Sequence, residues 1–282
     1  MKQVRFILAF FLLFLLFSCG ISTRDAPTGK AQKQSAENNP QTLQLQSNIP
    51  VNATAISKDF ATWYNYTYTN VRLAQDFLGL NVDSVVIQKA NFLDQLGTGQ
   101  FIPVKIGVRQ NLPIYQLFRL QHVDKDIQLT VQQMAATEKE HVKMEGKVLP
   151  SYDFKDLNGR QYNKAITQGK ILLVKCWFIN CFACVQEFPE LNKLVERFQG
   201  TDDLLFVSLA SDSREELSSF LVKKPFHYAV VPNQGPYMSE KLGITAYPTH
   251  LLVDKSGKII KVTNSIEDML PFIEKQVGGN DL

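Results

Sequence analysis

Two cysteines separated by two residues are the strongest chemical feature of this sequence. Cys181 and Cys184 follow an apolar, β-branched run and precede a segment, Leu191 to Phe198, with apolar residues at helical spacing. The pattern predicts a strand, a turn, the Cys-x-x-Cys pair and a helix. At a helix N-terminus, free N–H groups and the positive end of the helix dipole favour the thiolate of Cys181. With a second thiol one turn behind it, the pair is suited to disulfide exchange.

Cys-x-x-Cys pairs also occur in metal and haem sites. A zinc site needs a second Cys or His pair at ligand spacing, and the sequence has none. A c-type haem needs His directly after the second cysteine, where this chain has Val185. We therefore expect a redox pair without metal or cofactor, with a metal-binding or purely structural pair as the alternative.

With their neighbours, the cysteines resemble the active site of the thioredoxin fold, and within it the TlpA/ResA-like thiol–disulfide oxidoreductases of the bacterial envelope. The resemblance covers roughly the C-terminal half of the chain. The matching residues are Trp177, Cys181, Cys184, Glu187, Pro189 and the downstream Tyr247-Pro248-Thr249.

The resemblance implies roles for these residues. Cys181 is expected to attack a substrate disulfide and Cys184 to resolve the mixed disulfide. Pro248 is expected to follow a cis peptide bond and to lie against the cysteines, and Glu187 to assist proton handling beside them. A solvated helix glutamate is the alternative for Glu187. Three residues are assigned to substrate binding: Trp177, Tyr247 and Thr249.

Several positions depart from the resembled pattern. Lys175 stands where the family usually has a buried acid or a neutral amide; it either snorkels to the surface or lowers the pKa of a nearby thiol, and we include it among the catalytic candidates. Asn180 and Phe182-Ala183 also differ, which affects the expected redox potential and not the reaction class. His250 follows the Pro248 loop closely enough to reach the site, which is the alternative, and we interpret it as an ordinary strand residue. Cys176, on the strand face opposite Lys175, is expected to be buried and unreactive.

The N-terminus has the pattern of an export signal. A basic start is followed by an apolar run, Phe6 to Phe17, that is shorter than the about 20 residues a membrane span needs. Leu16-Phe17-Ser18-Cys19 resembles a bacterial lipobox, which implies a lipid anchor on Cys19 and a location in the cell envelope with the folded part facing the periplasm. An ordinary signal peptide is the alternative.

Composition and patterning divide the chain into four parts: a signal peptide at 1–19, a disordered tether at 20–48, a small α+β domain of unknown role at 49–146 and a thioredoxin-like domain at 147–282. The tether is polar and lacks aromatic residues, so it cannot bury enough apolar surface to fold. A flexible chain of that length spans on the order of 30 Å.

In the small domain, the alternation of aromatic and small polar residues from Ala61 to Thr69 predicts a strand. Those aromatic residues are either a binding face or core packing, and we expect packing. The other predicted elements are helices at Lys89 to Leu96 and Asp126 to Met144, and strands at Phe101 to Val108 and Ile114 to Leu120.

The second domain is predicted to have an α/β thioredoxin fold with an N-terminal β-hairpin. Asn158-Gly159 is a strong hairpin signal, and Ser213 opens a capping box. The other predicted strands are Lys170 to Phe178, Leu204 to Leu209, His227 to Val231 and the antiparallel pair Thr249 to Asp254 and Lys258 to Thr263; the other predicted helices are Pro236 to Leu242 and Ile266 to Gln276.

The sequence therefore predicts an enzyme, a membrane-tethered thiol–disulfide oxidoreductase that is a reductase acting on protein or cytochrome thiols. Its expected partners are protein thiols and disulfides, an envelope electron donor or acceptor, and the membrane through the lipid anchor. The net charge of +3, without a basic cluster, does not suggest nucleic acid. The alternatives are a peroxiredoxin-like peroxidase, whose Pro-x-x-x-Thr-x-x-Cys pattern is absent because Val174 and Phe178 fill the Pro and Thr positions, and a non-enzymatic redox-sensing or copper-carrying module.

Overall fold

A computed structural model of the chain describes residues 52–122 and 124–278. The predicted signal peptide, Cys19 and the predicted tether lie outside the described residues. The first described part contains four strands in the order β2-β1-β4-β3. Its elements are α1 (Ala53–Ile56), α2 (Phe60–Asn70), β1 (Leu78–Leu80), β2 (Val86–Ile87), α3 (Lys89–Leu96), β3 (Phe101–Arg109), β4 (Leu112–Arg119) and α4 (Lys125–Met144).

The second described part contains a hairpin and a five-stranded sheet in the order β11-β10-β7-β8-β9. Strands β7, β8 and β9 are parallel, whereas β10 is antiparallel to both β7 and β11. Its elements are β5 (Asp153–Lys155), β6 (Gln161–Asn163), α5 (Lys164–Thr167), β7 (Ile171–Trp177), α6 (Phe182–Gln186), α7 (Phe188–Arg197), β8 (Leu204–Ala210), α8 (Arg214–Lys223), β9 (Ala229–Val231), a π-helical turn (Tyr237–Lys241), β10 (Thr249–Val253), β11 (Ile259–Thr263) and α9 (Ile266–Gly278).

Most of the predicted elements are confirmed, with boundaries that differ by a few residues. The hairpin turns at Gly159, which adopts a φ of 87° that favours glycine. Asp156 stabilises the turn because its Oδ1 accepts hydrogen bonds from the backbone N–H groups of Asn158 and Arg160. The predicted capping box of Ser213 with Glu216 is also present.

The predicted strand at Ala61 to Thr69 is wrong, because these residues lie in helix α2. Asp59 caps the helix by accepting a hydrogen bond from the Thr62 N–H at 2.7 Å. Trp63 and Thr67, one turn apart, are buried. Tyr64 and Tyr68, also one turn apart, are exposed and stack on each other. The buried and the exposed residues thus each repeat at the helical spacing of four residues. The same residues also alternate with a period of two, and this is why the sequence pattern resembled a strand.

Helix α4 connects the two parts. Its first turns pack Ile127 and Val131 into the core under the first sheet. At its C-terminal end, Glu145 Oε1 forms an ion pair with Lys261 Nζ at 2.9 Å and accepts a hydrogen bond from the Val262 N–H at 3.2 Å, both on β11. Both parts belong to one compact unit.

Strand β7 lies at the centre of the second sheet and is buried along its whole length. One face, here called the helical face, packs Ile171, Leu173 and Trp177 against α6, α7 and α9. The other, the hairpin face, packs Leu172, Val174 and Cys176 against the β5–β6 hairpin and the π-helical turn. The alternation predicted for this strand is thus confirmed, and it decides which side chains lie beneath the cysteine pair.

Candidate active site

Cys181 and Cys184 form a disulfide at the start of α6, with their Cα atoms 5.2 Å apart. Cys181 is the N-cap residue, and its Sγ accepts the Cys184 N–H at 3.2 Å. Cys181 is 8% exposed and Cys184 is fully buried. Cys181 is therefore the outer sulfur that a partner reaches first.

The helix that carries the pair is interrupted one turn later. Glu187 ends α6 and begins α7, and Pro189 lies in the first turn of α7. Proline is tolerated there because an N–H in the first turn has no partner within the helix. The helix is thus divided into two at Glu187, whose side chain contacts Lys175 on the central strand.

Glu187 is the centre of a buried group of three charged or titratable residues, which we call the triad: Lys175, Glu187 and His250. Glu187 Oε2 accepts a hydrogen bond from Lys175 Nζ and lies 3.0 Å from His250 Nε2. Its other oxygen accepts the Ile266 N–H at 3.2 Å, at the start of α9. The Lys175 side chain is 0% exposed and that of Glu187 is 18% exposed. Lys175 therefore does not snorkel to the surface, and Glu187 is not a solvated helix residue.

The triad shifts the pKa of each member. Burial alone raises the pKa of Glu187, but the hydrogen bond and charge of His250 and the charge of Lys175 outweigh it and hold the pKa at about 2. Burial lowers the pKa of Lys175, against the opposing charge of Glu187. Burial and the charge of Lys175 lower the pKa of His250, against its hydrogen bond to Glu187. Glu187 is thus an anion at neutral pH, and His250 is neutral.

The interpretation of His250 as an ordinary strand residue is wrong, since its ring lies against Glu187. The signal that locates it is the register of the sheet, because His250 pairs with Lys175 across β10 and β7. Lys175 pairs in turn with Ser208 on β8, and His250 with Thr263 on β11. Ser208, Lys175, His250 and Thr263 thus form a buried polar row across the helical face of the sheet.

Some polar atoms near the triad have no hydrogen-bond partner among the described residues: Ser208 Oγ, Tyr228 OH and His250 Nδ1. Burial, followed by the charge of Glu187, raises the pKa of Tyr228. Leaving a buried polar atom unpaired costs about 1 to 3 kcal/mol. The helical face therefore gives up stability beside the cysteine pair, as is common at functional sites.

The loop before β10 carries the expected cis peptide bond, between Tyr247 and Pro248. Asn264 holds this loop because its Nδ2 donates to the Pro248 carbonyl at 2.6 Å and to Thr249 Oγ1 at 3.1 Å. Thr249 Oγ1 donates in turn to the Ala246 carbonyl at 2.7 Å. Thr249 is buried, so its side chain holds the loop together and only its backbone is suited to contact a partner.

Two aromatic residues of the expected substrate-binding set differ in position. Tyr247 is partly buried, and its ring packs edge-on against Phe178 with the centroids 5.3 Å apart. Trp177 is fully buried, with Phe188 and Phe226 at centroid distances of 5.0 and 6.0 Å. A buried core residue does not contact substrate, so the expectation that Trp177 binds substrate is corrected. Trp177 instead packs beneath the helices that follow the cysteine pair.

Phe182, between the two cysteines, is an exposed aromatic residue. Its sequence position had indicated only a departure from the family pattern, and not a contact surface. Its side chain is 78% exposed. The first residue after a helix N-cap commonly points outward, and that position could have indicated its exposure. An apolar ring beside the outer sulfur offers a partner a hydrophobic contact.

Cys176 is free and buried on the hairpin face, as expected. Burial raises the pKa of its thiol to about 12, and the nearby charge of Lys175 opposes this only in part. At that pKa the thiol stays protonated and unreactive.

The C-terminal domain is a thioredoxin-fold domain of the thiol–disulfide oxidoreductase class. Its topology places a Cys-x-x-Cys pair at the start of the helix after the central strand and a cis-proline before the adjacent antiparallel strand. Comparisons with known proteins agree with this class. Residues 146–262 match the family model described as the AhpC/TSA family.

The curated relatives are ResA-like. The chain is 26% identical over 120 residues to thiol-disulfide oxidoreductase ResA of Bacillus thuringiensis subsp. konkukian, covering 42% of this chain and 69% of the relative. It is 25% identical over 132 residues to ResA of Geobacillus thermodenitrificans, covering 46% of this chain and 76% of the relative. The C-terminal domain is thus similar in sequence to the ResA thiol-disulfide oxidoreductases.

Solved structures similar to this chain include the thioredoxin domain of a thiol-disulfide oxidoreductase from Bacteroides vulgatus, with 27% identity, a TM-score of 0.43 and coverage of 47% of this chain and 97% of that one. A second is a thiol:disulfide interchange protein from Bacteroides sp., with 28% identity, a TM-score of 0.43 and coverage of 49% and 92%. Within residues 52–122 and 124–278, no helix combines the length and hydropathy that crossing a bilayer requires.

Proposed function

We propose that this protein reduces disulfides in other proteins through Cys181 and Cys184. The observation that carries the proposal is the position of the pair: the outer sulfur caps a helix, the inner sulfur is buried one turn behind it, and the two are close enough to be bonded. This arrangement separates an accessible attacking sulfur from a protected resolving sulfur.

The reaction begins with both cysteines reduced. The Cys181 thiolate attacks one sulfur of a substrate disulfide, the substrate S–S bond breaks, and the first substrate thiolate leaves and takes up a proton. Cys184 then loses its proton and attacks Cys181 Sγ, which breaks the mixed disulfide and releases the second substrate thiolate. The enzyme ends with the Cys181–Cys184 disulfide, having transferred two electrons. A dithiol donor restores the reduced pair by the same exchange.

Lys175 and Glu187 act on this reaction through charge and proton handling. Glu187 lies one helical turn beyond Cys184, and Lys175 lies beneath the same helix on the central strand. The Lys175 ammonium favours a thiolate in the reduced pair, whereas the Glu187 carboxylate disfavours it. Both are charged and hydrogen-bonded to each other, so the two effects partly offset. Pro248 and the backbone at Tyr247 hold the substrate against the pair.

The export pattern of the N-terminus supports a reaction outside the cytoplasm. We propose that Cys19 carries a lipid anchor in the cell envelope, that residues 20–48 are a tether, and that residues 147–282 are the redox domain facing the periplasm. An oxidising compartment provides the protein disulfides that such an enzyme reduces. We propose further that residues 49–146 are a second, α+β domain.

Insulin reduction with a dithiol as electron donor tests the activity. The wild-type protein should reduce insulin, and Cys184→Ser should accumulate a mixed disulfide with the substrate, because no sulfur remains to resolve it. Mass spectrometry should locate the trapped substrate on Cys181. Cys176→Ser is the matched control and should trap nothing.

The alternatives predict other results. If hydrogen peroxide is consumed faster than insulin is reduced, the protein is a peroxidase. If purified protein carries stoichiometric copper and does not reduce insulin, the pair is a metal carrier. Intact mass spectrometry of protein from membranes tests the anchor, since an unmodified Cys19 would refute it.

A further inference from the structure

A cleft of about 310 Å³ lies between helix α4 and the redox domain. Helix α4 contributes Met134 and polar side chains, and Leu73 and Ala74 add apolar surface beside it. The redox side contributes the loop before the cis-proline and the start of α9. The polar lining includes Thr130, Gln133, Thr137, Asn264 and Asp268, and Ala246 lies on the redox wall.

The cleft is continuous with the loop beside the cysteine pair. Ala246, on its wall, accepts the hydrogen bond that anchors Thr249. Asn264, on the same wall, donates to the Pro248 carbonyl at 2.6 Å. The backbone N–H of Ile266, next to the cleft residue Ser265, donates to Glu187. A chain that lies along Tyr247 and Pro248 therefore lies next to the cleft, because the lining residue Ala246 directly precedes Tyr247.

The cleft carries acidic groups. Its lining includes the carboxylates of Glu138 and Asp268 and, among the described residues, no Lys, Arg or His. Glu138 is paired with Lys89 at 2.8 Å and faces His141 Nδ1 at 3.5 Å. Glu138 therefore has two basic neighbours outside the cleft lining.

Asp268 is less well compensated than Glu138. Its nearest cation is Arg72, at 3.5 Å and partly exposed, and Gln75 Nε2 lies 3.4 Å away. Burial raises the pKa of Asp268, and the carboxylates of Glu267 and Glu138 add to the effect, against Arg72 and Lys261. A cation entering the cleft would relieve this repulsion.

We propose that the cleft binds an extended segment of the substrate polypeptide beside its reactive disulfide, with a Lys or Arg side chain placed at Asp268. Helix α4 forms the second wall, so the α+β domain selects substrates for the redox domain. This inference rests on the proposed disulfide reductase function and names the substrate class: proteins with a basic residue near the disulfide.

Two peptides with the same internal disulfide, one flanked by Lys and one by Glu, test the selection. Neutral hydroxyethyl disulfide is the small substrate that reports the chemistry alone. Wild-type protein should have a lower KM for the Lys peptide than for the Glu peptide. The readout is kcat/KM for each peptide divided by kcat/KM for hydroxyethyl disulfide.

Charge variants on exposed positions of α4 sharpen the test. Gln133→Lys should lower the normalised value for the Lys peptide about fivefold, which is about 1 kcal/mol, and Gln133→Glu should raise it. Ala136→Lys adds the same charge at an exposed position of α4 outside the cleft and should match wild type. Misfolding would not lower the normalised kcat/KM in Gln133→Lys and raise it in Gln133→Glu.

The possible failures are distinguishable. If hydroxyethyl disulfide is not reduced, the proposed function fails and the cleft assignment fails with it. If it is reduced but wild type treats both peptides alike, or Gln133→Lys and Ala136→Lys behave identically, only the cleft assignment is overturned.

Discussion

The two faces of the central sheet differ in what they bury. The helical face carries Lys175 and His250 beneath the cysteine pair, whereas the hairpin face beneath the same strand is apolar and contains the free thiol of Cys176. Lys175 and Cys176 are consecutive residues, yet one is bound to a carboxylate and the other lies in an apolar cluster of aliphatic and aromatic side chains.

The comparison shows that position, and not residue type, decides whether a buried group takes part in chemistry. Cys176 has the same thiol as Cys184 but an environment that keeps it protonated. Buried charges on the helical face are retained at a cost in stability, because desolvating an ion pair is expensive. The hairpin face contributes packing free energy without that cost.

The largest expected difference concerns the cysteines themselves. Cys181→Ser should reduce insulin reduction to the uncatalysed rate, because a serine hydroxyl does not form a disulfide. Cys176→Ala should keep the wild-type rate and lose about 1 kcal/mol of unfolding free energy from the small cavity it leaves. Insulin turbidity and urea unfolding measure the two effects. A Cys176→Ala variant without activity would contradict the division between the faces.

The next effect is on stability. Lys175→Met should lower the unfolding free energy by about 3 kcal/mol, because it leaves the Glu187 carboxylate in the interior without its cation. The double variant Lys175→Met/Glu187→Gln should recover much of this loss. Lys255→Met, which breaks an ion pair with Asp203 near the surface, is the control and should cost less than about 1 kcal/mol. Equal losses for the two lysine variants, measured in urea, would show that burial of Lys175 has no special cost.

Substitutions of Lys175 and of Glu187 should shift the redox potential of the cysteine pair in opposite directions. Lys175→Met leaves a net negative charge beside Cys184, which disfavours thiolate and makes the couple more reducing, by tens of millivolts at about 30 mV per 1.4 kcal/mol. Glu187→Gln leaves the positive charge and should make the couple more oxidising, and it should also shift the pH profile of thiol exchange. Equilibration with glutathione measures both potentials. Shifts of the same sign would rule out a direct charge effect.

The smallest effect is the pH dependence of stability from His250. Since the pKa of His250 is lowered in the folded state, the unfolded chain binds a proton first as pH falls below about 6.5, and the unfolding free energy falls with it, by at most about 1.4 kcal/mol per pH unit. Glu187 also makes the unfolding free energy depend on pH, but its stabilising contribution is lost only between about pH 4.5 and its folded pKa of about 2. Above about pH 5 the change in unfolding free energy from His250 is therefore measured without a contribution from Glu187.

A His250→Gln variant should have a smaller slope between pH 6.5 and 5 than wild type. His227→Gln, at a more exposed side chain, is the control. Urea unfolding at several pH values supplies the slopes. If the unfolding free energy of both variants has the wild-type dependence on pH, the prediction that His250 is neutral in the folded protein is wrong.

Local signals were sufficient for much of the fold. The Cys-x-x-Cys pair, the Asn158-Gly159 turn and the capping box at Ser213 each depend on residues within a few positions of one another, so the sequence determined the hairpin, the helix starts and the class of active site. The resemblance supplied the cis peptide bond at Pro248.

Only the tertiary structure decided the contacts between distant segments. His250 reaches Glu187 from 63 residues away because β10 pairs with β7 in one register. Lys175 is buried because α6 and α7 cover its face of the sheet, which no local pattern specifies. Helix α2 was predicted as a strand because the spacing of its aromatic residues fits both strand and helix periods. Burial of Trp63 in the core beside the first sheet favours the helix. Side-chain charge and periodicity are properties of the sequence, whereas desolvation and pairing arise only when the chain has packed.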